Sequence, residues 1–90
     1  MLEPIYPKVF RKQYKLMKKQ GRDIGRLREV IDMIVDEQPL PPNYCDHPIH
    51  GEWEGSRDCH IQGDWVLIYE IDDAARTVTF HRTGSHSDLF

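Results

Sequence analysis

The sequence predicts an α+β domain in which two N-terminal helices cover one face of a mainly antiparallel sheet, in the order β-α-α-β-β-β-β. Three observations predict it. Apolar residues up to Val35 recur at helical spacing. Beyond Glu52 they fall into short runs closed by Gly and acidic turn residues. Pro39, Pro41 and Pro42 separate the two regimes. Ninety residues make one small domain, read as 1–90.

Leu2 to Tyr6 read as a short first strand, closed by Pro7, which can also open a helix. Phe10, Tyr14 and Met17 then share one helical face, with Lys8, Arg11, Lys12, Lys15, Lys18 and Lys19 around it. Gly21 ends this helix. Asp23 caps the next, whose stripe of Ile24, Leu27, Val30, Ile31, Ile34 and Val35 belongs to the core. After the proline linker, strands are expected at Glu52–Trp53, Arg57–Ile61, Trp65–Ile71 and Thr77–Arg82. Thr83-Gly84-Ser85 breaks the last one. Connections this short favour an antiparallel meander.

Composition excludes several classes. Leu, Ile, Val and Phe make up 22 of 90 residues, too many for a disordered chain. The longest unbroken apolar run, Trp65 to Tyr69, is five residues, whereas a membrane span needs about 20. The start lacks a basic stretch followed by an apolar segment, so a cytoplasmic chain without a secretory signal is expected. Two cysteines, Cys45 and Cys59, cannot make a disulfide framework. The net charge of −3 hides an asymmetry. Residues 1–30 carry nine Lys/Arg against three acids, a balance of +6, and the remainder three against twelve, a balance of −9. A cationic first third points to an anionic partner such as RNA or the ribosome, or simply to one solvated helix face.

Acid–base chemistry is confined to the second half. His47, His60, Asp64, Arg82 and His86 come from the linker, strand ends, a turn and the tail, which a small meander can bring to one rim. Several imidazoles, a carboxylate and a guanidinium suit RNA cleavage without metal. One group takes the proton of a ribose 2′-OH and another protonates the leaving 5′-oxygen; imidazole titrates near neutrality and suits both tasks. A guanidinium stabilises charge on the non-bridging oxygens. Trp65 and Phe90 are candidates for stacking on bases.

Ordinary structural roles stand beside these. Trp53 and Trp65 can be core, and Phe90 a terminal latch. Asp64 can be a turn residue. His81 alternates with Thr77 and Thr79, away from Arg82, and Arg82 falls in phase with Val78 and Phe80, so it can pair with a carboxylate at the sheet edge. Cys45, His47, His50, Cys59 and His60 could ligate zinc, but the spacing is not a common zinc pattern and adjacent Cys59 and His60 face opposite ways along a strand. No metal or cofactor is therefore assigned. A non-catalytic module that binds RNA or protein is the alternative function.

The motifs DHP-x-x-G-x-W, R-D-C-H-I, D-W-x-L-I-Y and R-T-G-S-H-S-D-L-F, taken together, resemble the YafQ branch of the RelE-like type II toxins over nearly the whole chain. The resemblance implies a RelE-like domain and a ribosome-dependent endoribonuclease, an mRNA interferase that halts translation. It implies a cognate antitoxin partner, and contact with operator DNA only through the antitoxin complex. By motif, it places His47, His60, Asp64, Arg82 and His86 in catalysis, with Trp65 and Phe90 on the substrate. Lys8, Arg11, Lys12 and Lys15 are expected to contact the ribosome or mRNA. Relatives are generally basic, so the −3 net charge is a departure, as is His50 where relatives often carry lysine.

Overall fold

The computed structural model describes residues 1–90. Strand β1 is Glu3–Ile5, followed by helices α1 (Lys8–Lys19) and α2 (Ile24–Val35). After the proline linker come β2 (His47–Pro48), β3 (Arg57–Gln62), β4 (Trp65–Asp72), β5 (Thr77–Ser85) and a short helix α3 (His86–Leu89). The five strands form one sheet in the order β1-β5-β4-β3-β2. β1 pairs with β5 in parallel, and every other pair is antiparallel.

Both long helices form where the apolar spacing requires them. Pro7 precedes the first turn of α1, and the Asp23 carboxylate accepts from the Arg26 N–H at the start of α2. Phe10 and Met17 of α1, with Leu27, Val30, Ile31 and Ile34 of α2, cover one sheet face, presented by Cys59, Ile61, Trp65, Leu67, Tyr69, Val78 and Phe80. Burying each large member stabilises the fold by about 1.5–3 kcal/mol. No helix is long and apolar enough to cross a membrane.

Four details depart from the sequence reading. Glu52–Trp53 is not a strand: Gly51–Trp53 form a 3₁₀ turn, and the short strand is His47–Pro48, inside the expected linker. β5 continues through Thr83-Gly84-Ser85, because Val66 and Trp65 supply ladder partners for Gly84 and Ser85. Helix α3 follows directly, capped by the Ser85 hydroxyl, which accepts from the Asp88 N–H.

The fourth departure re-aims a side chain. Ile68 pairs with Arg82 while Tyr69 pairs with Phe80, so His81 is an extra residue in β5. Such a bulge puts two successive side chains on the same face. Phe80 points into the core; His81 and Arg82 both point to the outer face, where His81 Nε2 lies 2.9 Å from Glu70 Oε1. The alternation expected for β5 therefore fails at His81, and Arg82 is out of phase with Phe80.

Candidate active site

The outer face opposite the helices gathers polar groups. Asp58 and His60 of β3 are two residues apart and project from it together. Across the sheet His47, Asp58, Ile68 and Arg82 stand in register, as do His60, Val66 and Gly84. The Gly63-Asp64 turn, with Gly63 at φ +59°, returns the chain into β4.

The end of the chain closes over this edge. The Asp64 carbonyl accepts from the His86 N–H at 2.7 Å, and a Cβ on Gly84 would lie 3.6 Å from Leu89. α3 is thereby seated beside Gly84, and the rings of His60 and His86 come to 6.4 Å between centroids. The Phe90 ring lies 4.7 Å from that of His86 and remains 49% exposed. The Asp64 side chain is exposed at the same rim.

His47 is held from both sides. Its Nδ1 lies 3.0 Å from the Pro48 carbonyl, and its Nε2 lies 2.8 Å from Asp58 Oδ1. Asp58 is 3% exposed, and no other donor serves that oxygen. Sequence reasoning chose Asp64 as the carboxylate of the site and overlooked Asp58. Its signal was the two-residue spacing to His60 in Asp58-Cys59-His60, which places both on one strand face.

The structure thus gathers His47, His60, Asp64, Arg82, His86 and Phe90 on one face and its rim. Trp65 is a correction. It is 1% exposed in the helix-facing core, its Nε1 donates to Thr83 Oγ1 at 2.9 Å, and the Arg22 guanidinium lies 5.5 Å from its ring centre. No face is free for a base. Lys8, Arg11, Lys12 and Lys15 are exposed on α1, the layer across the sheet from His47, Asp58 and His60. Arg11 and Lys15 instead border a cavity of about 400 Å³ with Tyr6, Phe10, Tyr14 and Arg28.

The cysteines do not join the cluster. Cys45 is exposed, and Cys59 is buried on the helix side, where burial first and the nearby Asp46 and Asp58 charges next raise its thiol far above the ordinary range. A metal could instead find donors in His47, Asp58 and His60, whose ligand atoms lie within 4.8 Å of one another. Two imidazoles and a carboxylate suit a first-row transition metal, and the underserved Asp58 oxygen fits that role.

The chain as a whole is similar to known proteins. The chain is 38% identical over 86 residues to the mRNA interferase toxin YafQ of Escherichia coli strain K12, covering 94% of this chain and 91% of that one. The crystal structure of the E. coli DinJ–YafQ complex contains a chain with a TM-score of 0.91 and 36% identity, covering 100% of this chain and 99% of that one. A metal-bound toxin from Helicobacter pylori matches with a TM-score of 0.93 and 40% identity over 100% of both chains. The model of the family described as the bacterial toxin of type II toxin–antitoxin system, YafQ, matches residues 2–90, and the chain belongs to that family.

Proposed function

We propose that this toxin is an mRNA interferase, an endoribonuclease acting on mRNA in the ribosome, and that its outer sheet face performs the cleavage. The single observation that carries the reading is the convergence of His60 and His86, with rings 6.4 Å apart, beside the His47–Asp58 pair and Arg82 on one face. The 2′-hydroxyl loses its proton to one group and its oxygen attacks the adjacent phosphorus. The 5′-oxygen departs with a proton from a second group, leaving a 2′,3′-cyclic phosphate and a 5′-hydroxyl. His86 is the first choice for one of these roles. His60, Asp64 and His47 share the remaining proton transfer and positioning, with Asp58 orienting His47. The Arg82 guanidinium stabilises the charge that builds on the phosphorane-like transition state. Phe90 offers the exposed ring for a base.

The cations of α1 lie across the sheet from this face and serve as contacts to ribosomal RNA rather than to the scissile phosphate. A cognate antitoxin neutralises the toxin, as the DinJ–YafQ complex of the E. coli relative supports, and their complex reaches operator DNA through the antitoxin. The setting is the cytoplasm, where translating ribosomes are found.

The test is incubation of purified toxin with mRNA, with and without ribosomes, and mapping of the new 5′ ends. Cleavage only with ribosomes, giving 5′-hydroxyl ends, is expected; growth arrest that survives alanine at His60, Asp64 and His86 together favours a non-catalytic binding module. A second reading, favoured by the 4.8 Å cluster and the metal-bound H. pylori relative, is that His47, Asp58 and His60 hold an ion. Toxin stripped by chelator, then freed of chelator before ribosomes are added, is expected to cleave at full speed. Loss of activity restored by a divalent ion supports the second reading.

A further inference from the structure

The 3₁₀ turn Gly51–Trp53 lies between β2 and β3, yet its tryptophan reaches over β5. The Arg82 guanidinium carbon stands 5.2 Å from the Trp53 ring centre, and the His81 ring lies 5.6 Å from it. Both partners are on the outer face only because of the bulge at His81. Ile68, in register between Asp58 and Arg82, is fully buried although it faces away from the helices, and Trp53 reaches Arg82 and His81 on this same face. Arg82 has one polar restraint, a bond from Nη1 to the His81 carbonyl at 2.8 Å. No carboxylate holds it: the salt bridges of this region belong to His81 with Glu70, His47 with Asp58, His50 with Glu54, and Arg57 with Asp46.

We propose that Trp53 is the positioning residue of Arg82, holding the guanidinium by its indole face where a carboxylate would otherwise serve. The inference rests on the role given to Arg82 above. An aromatic face attracts a guanidinium while leaving its N–H groups free, whereas a bidentate carboxylate would occupy them and cancel the charge needed at the phosphate. His81, fixed by Glu70, packs against the same indole and keeps it from turning away.

The experiment compares Trp53→Leu and Trp53→Phe, each alone and with Arg82→Ala, in ribosome-dependent cleavage with kcat and KM separated. Leucine keeps an apolar side chain without a π face; phenylalanine keeps the face. Trp53→Leu is expected to lower kcat about 10- to 100-fold, the order expected when a catalytic group is misplaced, with little change in KM. Trp53→Phe is expected to restore most of the rate. In the Arg82→Ala background Trp53→Leu is expected to cost nothing more. The Arg82 side-chain resonances, shifted upfield by the indole in the wild type, are expected to move back in Trp53→Leu. Unchanged kcat in Trp53→Leu beside a crippled Arg82→Ala overturns the inference and leaves the role of Arg82 standing. Equal losses in both backgrounds also overturn it. Full activity of Arg82→Ala overturns both.

Discussion

The imidazoles of His60 and His86 lie 6.4 Å apart, one from β3 and the other from the start of the last helix. Two acid–base groups at this separation can flank one phosphate, and the backbone bond from His86 N–H to the Asp64 carbonyl fixes the approach. His86→Ala removes one group without disturbing the buried core, because residue 86 is exposed. Cleavage is expected to fall by about 10²–10⁴-fold while thermal unfolding is nearly unchanged. Full activity of a folded His86→Ala protein on ribosomes takes this residue out of the mechanism.

Asp58→Asn separates the two carboxylates of the region. Asp58 faces His47 Nε2 at 2.8 Å from a buried position, whereas Asp64 is exposed in a turn. Removing the charge while keeping the shape frees His47 to rotate, and a loss of about 10-fold or more in kcat is expected for Asp58→Asn. Kinetics of Asp58→Asn beside Asp64→Asn decide it. If only the Asp64 variant is impaired, the His47–Asp58 pair is structural.

Trp65 belongs to stability. Trp65→Ala empties a core position that is 1% exposed and is expected to cost about 3–5 kcal/mol, readable as a lower urea midpoint. Trp65→Phe keeps most of the packing but leaves the buried Thr83 hydroxyl without its indole donor, a loss of about 1 kcal/mol or slightly more. The KM for ribosomes is expected to be unchanged in Trp65→Phe. A raised KM at unchanged stability would return Trp65 to the substrate.

Alkaline pH is expected to weaken the fold. Burial raises the Cys59 thiol above its ordinary 9.0 and the Tyr69 phenol above its ordinary 10.0; the Tyr69 bond to Asp46 Oδ1, at 2.6 Å, adds to the second effect. Both groups keep their protons in the folded chain at pH values where the unfolded chain releases them. Their contribution is therefore complete below about pH 9 and declines as pH rises above it. Urea midpoints measured from about pH 7 to 11 test this. Wild type is expected to fall above about pH 9, and Cys59→Ala to start lower at neutral pH but decline less steeply. A level profile for the wild type means that neither group is shifted.

Period and punctuation made most of the architecture legible. The stripe from Ile24 to Val35, the Asp23 cap and the strands around Arg57 and Trp65 follow from spacing alone. The rest depended on tertiary partners. His47–Pro48 is a strand only because β3 offers it an edge, and Gly84 stays in a ladder because β4 extends beside it. Arg82 could not be placed, because one inserted residue reverses its side and nothing in Thr-Phe-His-Arg announces a bulge. Trp65 invites a base both by its residue type and by the family motif, but it opens the unbroken apolar run to Tyr69 and packs with Leu67 and Tyr69 in the core. Asp58 was visible by its phase with His60 and was passed over for a carboxylate in a turn.

The nucleophile can be tested by one substitution in the substrate. An mRNA with a 2′-deoxy nucleotide immediately 5′ of the cut site is presented on ribosomes beside its all-ribose twin, and the cleavage rates are compared. The deoxy substrate is expected to stay intact at that bond while the twin is cut to a 2′,3′-cyclic phosphate. Cleavage of both at the same rate means that the attacking oxygen is not the ribose hydroxyl, and the arrangement of His60, His86 and Arg82 serves another purpose.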